Sequence, residues 1–180
     1  MNDIRSATDI VLRDAQPGDM AAITRIYAEA VGGGTASFEL EPPDEAEMTR
    51  RMATLLAGGY PYLVAELSGA IAGFAYAGPY RARPAYNWTV ENSVYVATEF
   101  HRRGIGLVLL KRLIVEAERR GYRQMIAVIG DSAQTASIGV HTAAGFAPIG
   151  VLRAVGYKHG KWLDTPLMQI TLGKGDTAAP

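Results

Sequence analysis

Cysteine is absent from this 180-residue chain. That excludes a disulfide framework, a thiolate metal site and a covalent intermediate on a cysteine nucleophile. It fits a reducing cytoplasm, the compartment expected for the protein. An excess of one charge is lacking too: 18 Lys and Arg balance 18 Asp and Glu, for a formal net charge of +0. A nucleic-acid binder carries a basic footprint, so no nucleic-acid partner is expected, and any anion must be recognised by a local cluster. No apolar run approaches the roughly 20 residues of a membrane helix, and the polar start MNDIRSATD has no signal-peptide core. No membrane partner is expected. The three histidines and the acids show no metal-ligand spacing, so no metal is expected.

What is present is an ordinary globular share of apolar residues, 48%, enough for one domain with a real core. Residues 1–9 read as an N-terminal tail, 10–172 as the domain and 173–180 as a disordered C-terminal tail. Ile10 to Arg13 is a short strand. Pro17, Gly18 and Asp19 open a helix striped with Ile23, Ile26, Tyr27 and Ala30, and Asp44 caps a second carrying Met48, Met52, Leu55 and Leu56. Two β-rich runs, Tyr60 to Leu67 and Ile71 to Tyr80, join at Ser68-Gly69, a hairpin signal. After the loop PYRARP comes a strand, Trp88 to Val96, then the strongest helix, Gly104 to Arg120, then a strand, Arg123 to Ile129, and a helix, Gln134 to Ala144. Phe146 to Leu152 and Thr165 to Leu172 are expected as final strands, with a loop bearing Lys158 and Trp162 between them. The order β-α-α-β-β-β-α-β-α-β-β predicts a mixed sheet with helices packed on it.

The chemistry concentrates around Gly104 and Gly106, which follow a strand and open a helix beside Arg102 and Arg103. A helix start exposes unpaired N–H groups at the positive end of a dipole, and glycine leaves them accessible to a phosphate. Gly-x-Gly alone serves equally as a tight turn. Leu109 stands where the third glycine of G-x-G-x-x-G would be, and no Gly-Lys-Ser/Thr is present, so neither the dinucleotide fingerprint nor a P-loop is complete. From the residues alone, Glu91 suits either a solvated strand face or a general base, and His141 either packing or acid–base work.

The run VYV, then RRGIGL, then a long helix resembles motif A of the GNAT acyl-CoA N-acyltransferases, whose usual signature is Gln/Arg-x-x-Gly-x-Gly/Ala; His101 occupies its first position here. QTASIGVHTAAGF resembles the family's N-x-x-A-x-x-x-Y-x-x-x-G-F, with Gln134, Ser137 and His141 at the Asn, Ala and Tyr places. TASFE, GYPYLVAE, YAGPYRARPAY, TVENSVYV, MIAVIGDS and GYKHGKWLD resemble the phosphinothricin acetyltransferase subfamily, so the likeness covers about Ile10 to Leu172.

The resemblance implies the GNAT fold, an α/β (α+β) arrangement with a mixed, mostly antiparallel central sheet flanked by helices. It implies acetyl-CoA as co-substrate and direct acetylation of the α-amino group of a glutamate-like amino acid such as phosphinothricin, methionine sulfone or methionine sulfoximine, by a cytoplasmic homodimer. Glu91 becomes the general base and His141, in the tyrosine place, the residue that serves the departing thiolate. Val94, Tyr95 and Val96 lie along the pantetheine arm, Arg102, Arg103, Gly104, Ile105, Gly106 and Leu107 enclose the pyrophosphate, and Gln134 reaches the cofactor. Arg81 and Arg83 suit an acidic substrate through bidentate pairing. Phe38, Glu39, Lys158 and Trp162 are candidates for the pocket wall, although Glu39 could instead pair with a neighbouring arginine. Transfer to another amine (a peptide N-terminus, a polyamine or an aminoglycoside) and a non-catalytic CoA-binding module stay open as alternatives.

Overall fold

The computed structural model describes residues 10–180; the expected N-terminal tail, 1–9, lies outside the described residues. The elements are β1 (Ile10–Asp14), α1 (Met20–Gly33), α2 (Glu45–Ala57), β2 (Tyr62–Leu67), β3 (Ala70–Pro79), β4 (Thr89–Val96), α3 (Ile105–Arg119), β5 (Gln124–Val128), α4 (Thr135–Ala143), β6 (Ala147–Lys158) and β7 (Lys161–Thr171). Their order is the one the patterning predicts. Local chemistry sets the helix starts. Asp44 accepts the Glu47 N–H at 2.8 Å, and Glu45 and Glu47 face the positive end of α2. The chain enters α1 through a short turn at Pro17–Asp19, where Asp19 is buried and held by Arg13 of β1 at 2.7 and 2.8 Å.

The strands form one seven-stranded sheet in the order β1-β2-β3-β4-β5-β7-β6. Neighbours are antiparallel except β4 and β5, which run parallel. This is the mixed, mostly antiparallel sheet expected. The alternation of side chains across each strand feeds two cores. One face carries α3, with Ile105, Leu109, Leu110 and Leu113 against Leu63, Ala75, Val90 and Met125. The other carries α1 and α2, with Ile23, Ile26, Met48 and Met52 against Tyr62, Val64 and Phe74. Fully burying such side chains stabilises by about 1.5–3 kcal/mol each before entropy is counted.

The parallel pair positions the site. β4 stays in register with β3 from Val90 opposite Pro79 to Val96 opposite Gly73. Its pairing with β5 ends at Asn92 opposite Ala127. From Ser93 onward one edge of β4 has left its neighbour, and the sheet opens.

The last hairpin departs from expectation. The stretch between Leu152 and Thr165 is not a loop: β6 and β7 continue to Lys158 opposite Lys161, turning at His159 and Gly160 with φ of 50° and 74°. β6 is exposed along most of its length, so it lacks the buried alternation that marks a strand, and its Pro148, Gly150 and Gly156 sit at register shifts. At the other end, where a disordered tail was expected over 173–180, the chain makes turns: the Gly175 N–H donates to Leu172 at 2.9 Å and the Thr177 N–H to Lys174 at 3.0 Å.

Candidate active site

Where β4 and β5 part, a cavity of about 370 Å³ opens, lined among others by Phe38, Tyr76, Glu91, Asn92, Val94, Tyr95, Gln134 and His141. Its size is that of a small-ligand site. Alternation along β4 sends Val90, Asn92, Val94 and Val96 toward the α3 face and Glu91, Ser93 and Tyr95 toward the α1/α2 face; accordingly Val94 and Val96 pack with the α3 core and Tyr95 with the other. Glu91 and Asn92 therefore reach one cavity from opposite faces, which is possible only at the gap in the sheet.

Glu91 is half-buried, and burial pushes its carboxyl pKa upward. His141 of α4 is 5% exposed. Its Nδ1 lies 2.8 Å from the Ser137 carbonyl and its Nε2 2.9 Å from Asn92 Nδ2. With both nitrogens engaged, the imidazole has no free N–H to offer the cavity in this arrangement. Burial also lowers its pKa, favouring the neutral ring.

The end of β4 leads to the glycine loop. Gly104 is left-handed, φ 79°, and precedes α3 with no side-chain cap. The Val108 N–H donates to Gly104 at 3.1 Å, so the N–H groups of Ile105, Gly106 and Leu107 precede the helix's own ladder and are available to an anion. Around a Cβ at Gly104 there is open space, whereas one at Gly106 would touch Val96 and Val140 at 3.6 and 3.9 Å. The two glycines do different work: Gly104 sets the turn, while Gly106 lies in the first turn of α3 with room for a methyl against Val96 and Val140. Arg102 and Arg103 are exposed beside the loop, with Arg103 over the Phe100 ring at 5.3 Å, while the Ile105 side chain is in the core. His101 donates to the Val96 carbonyl at 3.0 Å and fastens the loop to β4.

The TASFE segment forms the opposite wall and is tied at alternate residues. Gln134 Nε2 donates to Thr35 Oγ1 at 3.0 Å, and Thr35 donates to Asp131 at 3.0 Å. Lys158, 4% exposed, donates from Nζ to the carbonyls of Val31 and Ser37, both at 2.7 Å. Glu39 accepts from Tyr27 at 3.0 Å and Arg51 at 2.6 Å. Phe38 lies between these ties and packs on Gly156, where any Cβ would collide with its ring.

Of the residues singled out from the sequence, Phe38, Glu91, Val94, Tyr95, Gln134 and His141 come together at the cavity. Glu39, Arg81, Arg83, Lys158 and Trp162 are not among its lining residues. Glu39 makes the arginine pair that was its other reading, and Lys158 is a tether. Trp162 is 67% exposed and meets Tyr157 across the hairpin. Arg81 stacks over Tyr80 at 5.1 Å. Tyr76, Asn92 and Ser137 were missed. Asn92 carried a signal: Glu-Asn-Ser in the middle of a buried strand puts a polar side chain on each face.

Among the described residues, no group of three or more His, Asp or Glu could hold a metal ion, and no helix is long and apolar enough to cross a membrane. Residues 12–167 match the model of the acetyltransferase (GNAT) domain. The chain is 51% identical over 169 residues to a phosphinothricin N-acetyltransferase of Alcaligenes faecalis, covering 94% of this chain and 86% of that protein. It is 40% identical over 162 residues to the L-methionine sulfoximine/L-methionine sulfone acetyltransferase of Pseudomonas aeruginosa, covering 89% and 94%. Its fold superimposes with a TM-score of 0.93 and 47% identity on a GNAT superfamily phosphinothricin acetyltransferase from Sinorhizobium meliloti solved with AcCoA, covering 96% of this chain and 93% of that one.

Proposed function

This chain belongs to the GNAT acetyltransferase family, and from that premise we propose that it transfers the acetyl group of acetyl-CoA directly to the α-amino group of a glutamate-like amino acid, with phosphinothricin, methionine sulfone and methionine sulfoximine as substrates. The observation that carries this reading is the half-buried carboxylate of Glu91 on the cavity wall where β4 leaves β5.

Acetyl-CoA supplies an activated acetyl thioester; the protein supplies geometry and a base. The first-turn N–H groups of α3 and the exposed Arg102 and Arg103 suit the pyrophosphate, and the free edge of β4 beyond Asn92 suits the amides of an extended arm. An α-amino group has a pKa of roughly 7.7–8.0 and must lose a proton before it attacks. Glu91 takes it, and burial brings its proton affinity closer to that of the amine. The C–N bond forms, the thioester C–S bond breaks, and CoA leaves as the thiolate, which takes its proton from solvent. Most of the acceleration comes from holding amine and thioester together, with β4 N–H groups stabilising the oxyanion. Gly78 of β3 lies opposite Glu91, so the loop that starts at Tyr80 leaves the sheet two residues past the base. Arg81 and Arg83 on that loop receive the substrate's acidic groups.

The enzyme works as a cytoplasmic homodimer. Ile149, Val151, Leu152, Val155 and Tyr157 on edge strand β6 are each at least 41% exposed, with Trp162 beside them, a surface that suits a second copy. No nucleic acid, membrane or metal enters the reading.

The test is thiol release from acetyl-CoA, followed with a thiol reagent that this cysteine-free chain does not consume. Turnover is expected on phosphinothricin, methionine sulfone and methionine sulfoximine. Turnover only on a polyamine or a peptide would overturn the substrate assignment; CoA binding without turnover on any amine would overturn catalysis.

A further inference from the structure

Asn92 is 6% exposed and lines the cavity, yet among the described residues its Oδ1 has no hydrogen-bond partner. Proteins rarely leave a buried carbonyl oxygen unpaired without a reason. The rest of its amide is committed, because Nδ2 stands 2.9 Å from His141 Nε2. The orientation of that amide follows from its neighbours. The Ser137 carbonyl can only accept, so the proton is on Nδ1 of His141. A neutral ring then has its lone pair at Nε2, which requires the NH₂ of Asn92 and leaves Oδ1 free. The flipped amide would need an imidazolium in this buried position. The titratable groups that line the cavity with His141 are Glu91 and Tyr95 of β4 and Tyr76 of β3, and among the described residues no carboxylate pairs with the ring.

Asn92 is also the last residue of β4 paired with β5. Its side chain leaves β4 on the same face as Val94 and Val96, which run toward Gly106 and the open end of α3. From Asn92 to Val96 the strand covers roughly 13 Å at ~3.3 Å per residue. A cosubstrate anchored at α3 and stretched along β4 carries its amide N–H groups past Oδ1.

We infer that Asn92 is a positioning residue of this site: its NH₂ locks His141 in the Nδ1–H form, and its Oδ1 is held ready for an amide N–H of the cosubstrate's extended arm. The lock follows from the protein alone. The occupant rests on the acetyl-CoA reading above. Under the lock, His141 gives no proton to the cavity; it is an anchor for Asn92.

Two measurements test this. Long-range ¹H–¹⁵N spectra of the imidazoles over about pH 5 to 8, with His141 identified by loss of its signals in H141Q, should show Nδ1 protonated throughout and Nε2 unprotonated at the upper end, gaining its proton only at lower pH than an ordinary imidazole. In N92D the carboxylate should instead hold both nitrogens protonated across that range. An Nε2–H tautomer, or ordinary titration of the wild-type ring, would overturn the lock without reference to activity. Calorimetry then compares CoA with adenosine 3′-phosphate 5′-diphosphate, the same anion without the arm. N92L should weaken CoA about tenfold, the size of one hydrogen bond, and leave the fragment unchanged. Equal effects on both, or none on either, would overturn the occupant. Failure of the wild type to bind CoA would overturn the acetyl-transfer reading and the occupant with it, while the imidazole spectra still decide the lock.

Discussion

The ammonium of Lys158, near the turn of the last hairpin, lies 2.7 Å from the carbonyl of Ser37, 121 residues earlier in the chain. A second bond of 2.7 Å reaches Val31 at the end of α1. The side chain is buried, so these two carbonyls depend on it. Lys158→Met should cost about 3 kcal/mol, since charged hydrogen bonds contribute ~1.5–3 kcal/mol and the carbonyls are left unpaired. Loosening the Phe38 wall should also raise KM for the amine substrate. Urea unfolding and steady-state kinetics check both, and an unchanged midpoint with unchanged KM would remove the tether from the account.

Glu91→Gln should lower kcat by about 10²-fold or more if the carboxylate is the base, and it should stabilise the protein at neutral pH. The sign follows from linkage. Burial raises the folded-state pKa of Glu91, so over the window above its unfolded pKa, about 4.3, the folded state binds more protons than the unfolded one. Stability therefore falls as pH rises through the folded pKa, and the ionised form carries the full penalty above it. Gln removes that penalty, so the variant's Tm should exceed wild type near pH 7 and converge with it below about pH 4. A variant with unchanged kcat, or a Tm gain that persists in acid, would contradict the assignment.

Where local rules acted alone, the sequence was legible: caps, glycine stops, the Ser68-Gly69 hairpin and the strand–loop–helix of the glycine motif all stand where the patterning placed them. Partners distant in sequence hid the rest. Lys158 is a tether because of Val31 and Ser37, and Glu39 is satisfied because Arg51 of α2 stands 2.6 Å away; no spacing rule encodes either. β6 was shortened because an exposed edge strand with bulges resembles a loop. Gly156 illustrates the loss most directly, since its role is to admit the Phe38 ring from a segment more than a hundred residues away.

Gly104 and Gly106 were read as one motif, but their environments separate their expected phenotypes. Gly104→Ala meets no atom within 4 Å but places a Cβ at φ 79°, which costs about 1–2 kcal/mol. Relief of that strain would turn the first N–H groups of α3, so CoA affinity should fall with stability. Gly106→Ala places a methyl in ordinary contact with Val96 and Val140 and gains helix propensity of up to about 1 kcal/mol, so its stability should hold or rise. Thermal melts and CoA titrations on the two variants check the contrast; matching losses of stability would contradict it.

Arg81 and Arg83 offer the substrate test. Both are exposed on the loop that follows β3, and Arg81 rests over Tyr80, a stacking that leaves the guanidinium edge open to a bidentate partner. With Glu91 as the proposed base, a glutamate-like substrate whose amine meets it would direct its acidic groups toward the end of β3 and the start of β4, between which the loop runs. A charge-assisted hydrogen bond contributes about 1.5–3 kcal/mol, so Arg81→Gln and Arg83→Gln should each raise KM for phosphinothricin by ~10-fold or more. For methionine sulfone, whose side chain is neutral, the arginine that meets the side-chain phosphinate should matter far less than the one that meets the α-carboxylate. A split between the two variants on the two substrates assigns each arginine to its group. Equal effects on both substrates would leave both arginines at the α-carboxylate, and no effect on either would return the loop to solvent and move the acidic pocket elsewhere.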